Sequence, residues 1–142
     1  MKYLCLVYVE EHVLNGLPKP ERQSLSDESM AFCNDLQEKG QLLAASPLHP
    51  VETATTVRVR AGTTATTEGP FAETNELVAG FWIWKVKSME EAIEWVKRCP
   101  NPMTGPSEIE IRPVFEPEDF GEAFTPELRE KEEKLREKLG NK

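Results

Sequence analysis

Cysteine, histidine and long apolar runs are all scarce in this chain of 142 residues. It has three cysteines, two histidines and no Cys-x-x-Cys pair. Both histidines lie far from the cysteines in the sequence, so no metal site is expected. An odd number of cysteines, placed in or beside core elements, indicates reduced and mostly buried thiols in a cytoplasmic protein.

Membrane spans and targeting signals are not expected either. The longest apolar runs, residues 3–9 and 78–83, fall far short of the roughly 20 residues that cross a bilayer. The first residues lead directly into a strand pattern, without the apolar stretch and small-residue cleavage site of a signal peptide.

Cations are few as well. Lys and Arg total 17 against 25 Asp and Glu, which gives a net charge of -8. Because phosphate groups are bound by clustered cations, neither nucleic acid nor an anionic membrane is an expected partner. No phosphate-binding glycine loop or other cofactor motif is visible, so no cofactor is expected.

The hydrophobic patterns that are present predict an α+β fold. Strands are expected at residues 2–9, 41–46, 54–60, 63–67, 77–86 and 108–114, with the third and fourth forming a β-hairpin. Helices are expected from Ser26 to Gly40, with Met30, Cys33, Leu36 and Phe32 as the apolar stripe, from Ser88 to about Arg98, and over 126–139. The polar connection 10–24, which contains two prolines and a glycine, is expected to be a loop with at most a short helical turn.

Without the hairpin, this order is the βαββαβ pattern of a ferredoxin-like fold. Its helices cover one face of the sheet, and the bare face is expected to include bulky residues such as Trp82 or its neighbours. Because a bare apolar face requires a cover, a second copy of the sheet is expected to pack on it as a two-fold homodimer. The domain is expected at 1–116, followed by a charged helical extension at 117–142.

The loop 68–74 is the main candidate site. Glu68 and Glu73 could share acid and base roles if one were desolvated, although the same loop could equally be a tight turn in which Glu73 caps backbone N–H groups. Arg58 and Arg60, on one face of a strand, could bind an anionic ligand or pair with the acids. Arg112 has the same two interpretations.

Histidines and aromatic residues supply the remaining candidates. His49 follows a strand end and is the better choice for acid–base chemistry, whereas His12 lies in a polar connection. Phe71 and Trp82 either fill the core or an interface, or line a cavity for a small aromatic ligand.

Several separated motifs resemble the YCII-related family, and within it the subgroup named for an Asp-Gly-Pro-Phe motif. They are Met1-Lys2-Tyr3, Ala54-Thr55-Thr56-Val57-Arg58-Val59-Arg60, Glu68-Gly69-Pro70-Phe71-Ala72-Glu73-Thr74, Gly80-Phe81, Glu91-Ala92-Ile93-Glu94-Trp95 and Ile111-Arg112-Pro113-Val114. The resemblance implies a dimeric α+β barrel, a small-molecule cavity and, in the broader family, a His–Asp pair as a proposed active site. It also implies a link of some members to extracytoplasmic-function sigma factors.

This chain departs from the family pattern at two places. Glu68 stands where the motif has Asp, and the predicted first helix contains no histidine. Two hypotheses therefore remain open. The first is a homodimeric small-molecule enzyme with Glu68 or Glu73 as base, Arg58 orienting an anionic substrate and His49 as acid. The second is a non-catalytic ligand-binding or regulatory interaction module.

Overall fold

The structure is a computed structural model, and it describes residues 1–69, 76–100 and 107–140. Its strands are β1 (Lys2–Glu10), β2 (Leu42–Pro47), β3 (Thr55–Arg60), β4 (Thr63–Glu68), β5 (Glu76–Lys85) and β6 (Glu108–Pro113). Its helices are α1 (Glu11–Asn15), α2 (Lys19–Glu38), α3 (Met89–Lys97) and α4 (Pro126–Lys138), with short 3-10 segments at Val51–Thr53 and Pro117–Ala123. None of the helices within this described part is long and apolar enough to cross a membrane.

Four strands form the main sheet in the order β2-β5-β1-β6, and every neighbouring pair is antiparallel. The crossovers through α2 and α3 each return to a strand that is separated from its predecessor by one other strand. This arrangement confirms the predicted ferredoxin-like α+β fold.

The hydrophobic core lies on the helix side of the sheet. Tyr3 and Cys5 alternate toward it from β1, and Phe32 of α2 makes edge-to-face contacts with Trp84 and Trp95. Aromatic rings prefer this geometry because the positive edge of one ring meets the negative face of the other. The free thiol of Cys5 is fully buried there, and desolvation raises its pKa to about 12.

Trp82 also lies on this side, so of the residues expected on the bare face Trp82 itself is wrong, whereas its neighbours Phe81 and Ile83 do lie there. Its ring is 5.5 Å from that of Phe32, and Trp84 shares its face of β5 at 5.7 Å. The alternation of side chains along β5 sends Phe81 and Ile83, not the tryptophans, to the opposite face.

The predicted start of α2 is wrong by about two turns. The helix begins at Lys19, and a separate short helix, α1, precedes it. Pro18 and Pro20 were interpreted as loop signals, but proline fits the first turn of a helix, where its missing N–H would have no intrahelical partner. Within α2, Phe32 and Leu36 are buried one turn apart, whereas Met30 is exposed, contrary to the predicted stripe.

Gly80 allows β2 to approach β5 closely. A Cβ atom at this position would lie 2.9 Å from the Ser46 carbonyl oxygen and 3.3 Å from the Pro47 Cα. Side chains are not tolerated at such distances, so only glycine at position 80 lets the two backbones lie this close.

Among the described residues, the β3–β4 hairpin forms a two-stranded sheet of its own and does not pair with the main sheet. Ala61 and Gly62 form its two-residue turn with φ angles of 47° and 79°. Two positive φ values characterise the type I′ turn, whose twist matches that of the flanking strands. The hairpin was predicted correctly, including its turn residues.

Candidate functional site

The sheet has a second face that faces away from α2 and α3, and we call it the open face. It is defined by Leu4, Leu6 and Tyr8 of β1 together with Phe81 and Ile83 of β5. The strand register places Leu4 opposite Ile83 and Leu6 opposite Phe81, so these side chains form one patch. All five are only half-buried, and none belongs to the core described above.

A polar cluster borders this apolar patch on the neighbouring strand β6. The register pairs Leu6 with Glu110 and Leu4 with Arg112. The Tyr8 hydroxyl donates a hydrogen bond of 3.0 Å to Glu110 Oε2. Arg112 Nε lies 3.8 Å from Glu110 Oε1 on the other side of the carboxylate. The carboxylate of Glu110 is therefore held between a phenol and a guanidinium.

The hydrogen bond has an electrostatic consequence for Tyr8. Glu110 accepts a hydrogen bond from the phenolic O–H and so stabilises the neutral form of Tyr8. This hydrogen bond raises the pKa of Tyr8, with desolvation as a smaller cause. Tyr8 is consequently a hydrogen-bond donor and not a base near neutral pH.

The guanidinium of Arg112 has N–H groups that its contact with Glu110 does not use. Its side chain is 68% exposed, and 3.8 Å is too long for a strong hydrogen bond to Glu110. A guanidinium with free N–H groups beside an apolar surface is suited to a planar carboxylate on a small apolar molecule.

Two of the residues predicted from sequence lie at one end of the sheet. His49 follows the last residues of β2, and Glu68 ends β4, so both are near the end where β1 finishes and β5 begins. Both side chains are exposed. Glu73 and Phe71 lie outside the described residues.

The hairpin register separates Glu68 from the two arginines. Glu68 pairs with Thr55 and therefore shares a face with Val57 and Val59, whereas Arg58 and Arg60 point to the opposite face. Arg60 is also next to the turn, about 16 Å along the strand from the level of Glu68 at ~3.3 Å per residue. Neither arginine forms an ion pair with another described residue.

Other ionisable groups gather at the same end of the sheet as His49. His12 Nε2 lies 3.4 Å from Glu10 Oε2, and the Glu11 carboxylate accepts a hydrogen bond of 2.8 Å from the Val51 N–H. Glu11 thereby fixes the segment that follows His49. No group of three or more His, Cys, Asp or Glu side chains suitable for a metal ion occurs among the residues that the structure describes.

An open cleft of about 500 Å³ lies on the helix side, between α2 and α3. Glu28 and Asp35 form one wall, and Arg98 stacks 3.8 Å above the ring of Trp95. The aromatic rings at its base, Phe32 and Trp95, are buried already. The cleft therefore offers a ligand little apolar surface compared with the open face.

Tyr8 and Glu110 were not predicted as site residues. The nearly continuous apolar run of β1 does not distinguish the half-buried Tyr8 from the buried residues of the same strand. A signal was nevertheless present, because the ferredoxin-like order places β1 beside β6, and alternation puts Glu108, Glu110 and Arg112 on the face opposite Ile109 and Ile111.

Comparison with known proteins gives two matches. The model of the YCII-related domain matches residues 1–118. The chain is also similar to an uncharacterised protein of Rhizobium meliloti (strain 1021), with 32% identity over 114 residues, which cover 80% of this chain and 92% of that protein.

Proposed function

The chain belongs to the YCII-related family, and from this premise we propose that it forms a homodimer that binds a small carboxylate or aromatic molecule against the open face. The observation that carries the proposal is the Tyr8–Glu110–Arg112 cluster beside Leu4, Leu6, Phe81 and Ile83. Ligand sites combine mainly apolar walls with a few placed polar groups, and the open face has this composition.

A second copy would turn this face into an enclosed site. The five side chains of the patch are each half-buried in the single chain. A partner sheet packed against it would exclude water, which strengthens hydrogen bonds and ion pairs to a bound ligand. Cytoplasmic localisation remains part of this proposal.

We further propose an acid–base step at the adjoining end of the sheet. His49 and Glu68 are the described candidates for proton transfer, and Glu73 is proposed from the sequence alone. Arg58 and Arg60 are the sequence-based candidates for an anionic substrate, although the hairpin register does not bring them to the Glu68 face.

The binding part is tested by a thermal-shift and calorimetric screen with benzoate, phenols and related small carboxylates. A binder is expected to lose affinity by about tenfold or more in Arg112→Gln, because a charge-assisted hydrogen bond is removed. Tyr8→Phe and Glu110→Gln test the rest of the cluster. Lys97→Gln, which removes an exposed cation from the helix side, is the matched control and should bind normally.

Equal affinity of the wild type and Arg112→Gln for every binder would exclude the open face as the site. For the acid–base step, conversion of a binder is followed by NMR in His49→Gln, Glu68→Gln and Glu73→Gln. Lost conversion with retained binding is the expected result for a catalytic group. Unchanged conversion in all three variants would remove them from the mechanism.

An alternative is a non-catalytic interaction module, and one observation favours it. Leu128, Leu135 and Leu139 form an exposed apolar stripe on α4. Such a stripe is typical of helices that dock on another protein, and the family link makes an extracytoplasmic-function sigma factor the partner to test. Co-elution of the two purified proteins, abolished by Leu135→Glu, would support this alternative.

A further inference from the structure

Two segments protrude from opposite ends of the main sheet, and their surfaces are complementary. The first is the β3–β4 hairpin. The second is the segment Phe115–Ala123 after β6, which we call the aromatic–acidic segment. We propose that the hairpin of one protomer docks on the aromatic–acidic segment of its partner in the homodimer; this inference rests on the homodimer proposed above.

The hairpin is incompletely supported by its own chain. Every residue of β4 is exposed, and Val57 and Val59 are 56% and 71% exposed. At its base, the Gly69 N–H donates to the Ala54 carbonyl and closes the hairpin itself. A two-stranded hairpin is at best marginally stable in water, so this one requires a surface to pack on.

The charge of the hairpin identifies the kind of surface that it fits. Residues 55–68 contain Arg58 and Arg60 and a single acid, Glu68 at the base of the hairpin, whereas the whole chain carries a net charge of -8. Both arginines are exposed. The hairpin is thus basic toward its turn on an acidic protein, with the arginines on one face and the exposed Val57 and Val59 on the other.

The aromatic–acidic segment is negatively charged, in contrast to the hairpin. Its sequence contains four acids and no Lys or Arg. Phe115 and Phe120 are 63% and 46% exposed and contact each other with ring centroids 5.1 Å apart. Glu118 is 77% exposed, and its only described ion pair, with Arg129, is long at 3.9 Å.

The two segments adjoin opposite ends of the main sheet, and a face-to-face dimer can bring them together between different chains. The hairpin leaves the sheet near the end where Glu10 pairs with Glu76, whereas the aromatic–acidic segment starts at the other end, where Lys2 pairs with Lys85. A two-fold axis in the interface, perpendicular to the strands, brings opposite ends of the two sheets together. Each hairpin then reaches the aromatic–acidic segment of the other copy.

The exposed area is sufficient for such an interface. The chain exposes 10461 Å² in all, and an interface of standard size covers about 800 Å² on each partner.

Charge reversal and rescue test this arrangement. The dimer dissociation constant, measured by sedimentation, is expected to rise by about tenfold or more in Arg58→Glu/Arg60→Glu, because attraction between the chains becomes repulsion. Adding Glu118→Arg/Glu122→Arg to that variant should restore dimerisation. Lys87→Glu/Lys97→Glu, an equal change of charge on the helix side, is the control and should leave the dimer intact.

The outcomes distinguish this inference from the proposal on which it rests. A monomeric wild type would overturn the homodimer itself. A dimeric wild type whose dissociation constant does not change in Arg58→Glu/Arg60→Glu would overturn the hairpin contact while the homodimer stands. Weakening without rescue by Glu118→Arg/Glu122→Arg would overturn the aromatic–acidic segment as the docking surface.

Discussion

Gln41, the residue that precedes β2, forms side-chain hydrogen bonds to helix α3. Its Oε1 accepts a hydrogen bond of 2.9 Å from Trp95 Nε1, and its Nε2 donates one of 2.8 Å to Glu91 Oε1. Trp95 is buried, so its indole N–H has no ready access to water. The amide of Gln41 therefore satisfies a donor that the core would otherwise leave unpaired.

Replacing Gln41 by Leu is expected to lower the free energy of unfolding by about 1–3 kcal/mol, the usual cost of an unsatisfied buried donor. Urea denaturation followed by tryptophan fluorescence measures this difference. Gln37→Leu, at an exposed position of α2, is the matched control. Equal stability of Gln41→Leu and the control would show that the indole N–H finds another acceptor.

Glu91 gives the stability a dependence on pH. Its carboxylate accepts a hydrogen bond from the Lys87 N–H and another from Gln41, which hold its pKa below the ordinary value of 4.5. A depressed folded-state pKa stabilises the protein above the unfolded-state pKa, and this contribution is lost as the pH falls through the folded-state pKa.

The stability difference between the wild type and Glu91→Gln should accordingly be largest near neutral pH and shrink below pH ~4.5. Urea titrations at a series of pH values measure it. Glu90→Gln, an exposed neighbour in the same helix turn, provides the comparison. A pH-independent difference would contradict the assignment of the effect to ionised Glu91.

At the level of elements, α3 and α4 have similar caps and different surroundings. The Ser88 hydroxyl accepts a hydrogen bond from the Glu91 N–H, and the Thr125 hydroxyl accepts one from the Leu128 N–H. At α3 the Glu91 carboxylate accepts from the N–H of Lys87 rather than from that of Ser88, so a reciprocal capping box is only half formed. Helix α3 buries Ala92 and Trp95, whereas α4 buries none of its residues.

Removal of these caps should therefore have different effects. Ser88→Ala is expected to lower global stability by about 1 kcal/mol, since α3 is part of the core. Thr125→Ala is expected to accelerate amide exchange within α4 and to leave the global transition almost unchanged, since local opening reflects local packing. Hydrogen exchange measures the local opening of α4, and urea denaturation measures the global stability. A global loss in Thr125→Ala would show that α4 is packed as firmly as α3.

At the level of the whole molecule, apolar side chains are exposed on the hairpin and α4 and half-buried on the open face. A homodimer would reduce this exposure, and its stability would then depend on protein concentration.

The melting temperature is expected to rise by about 2–3 °C for each tenfold increase in concentration, because association stabilises only the folded state. Scanning calorimetry measures this shift, and light scattering should give about twice the chain mass of 16.1 kDa. A concentration-independent melting temperature together with a monomeric mass would exclude the dimer.

The amino-acid sequence alone determined the strand order, the hairpin and its turn, and the family. Alternation along β3 and β6, the Ala61–Gly62 turn and the N-caps Ser88 and Thr125 are local signals, because each depends on residues a few positions apart. The start of α2 was missed because proline is compatible with both a loop and the first turn of a helix.

Tertiary structure alone decided which side chains meet. The face on which Trp82 lies depends on the register of β5, and a shift of one residue would reverse it. The Tyr8–Glu110 hydrogen bond joins residues 102 positions apart, and the pairing of β1 with β6 creates it. Glu68 and Arg58 are only ten positions apart, and the pairing of β3 with β4 still places them on opposite faces of the hairpin. The reason is that side-chain direction in a strand alternates with every residue.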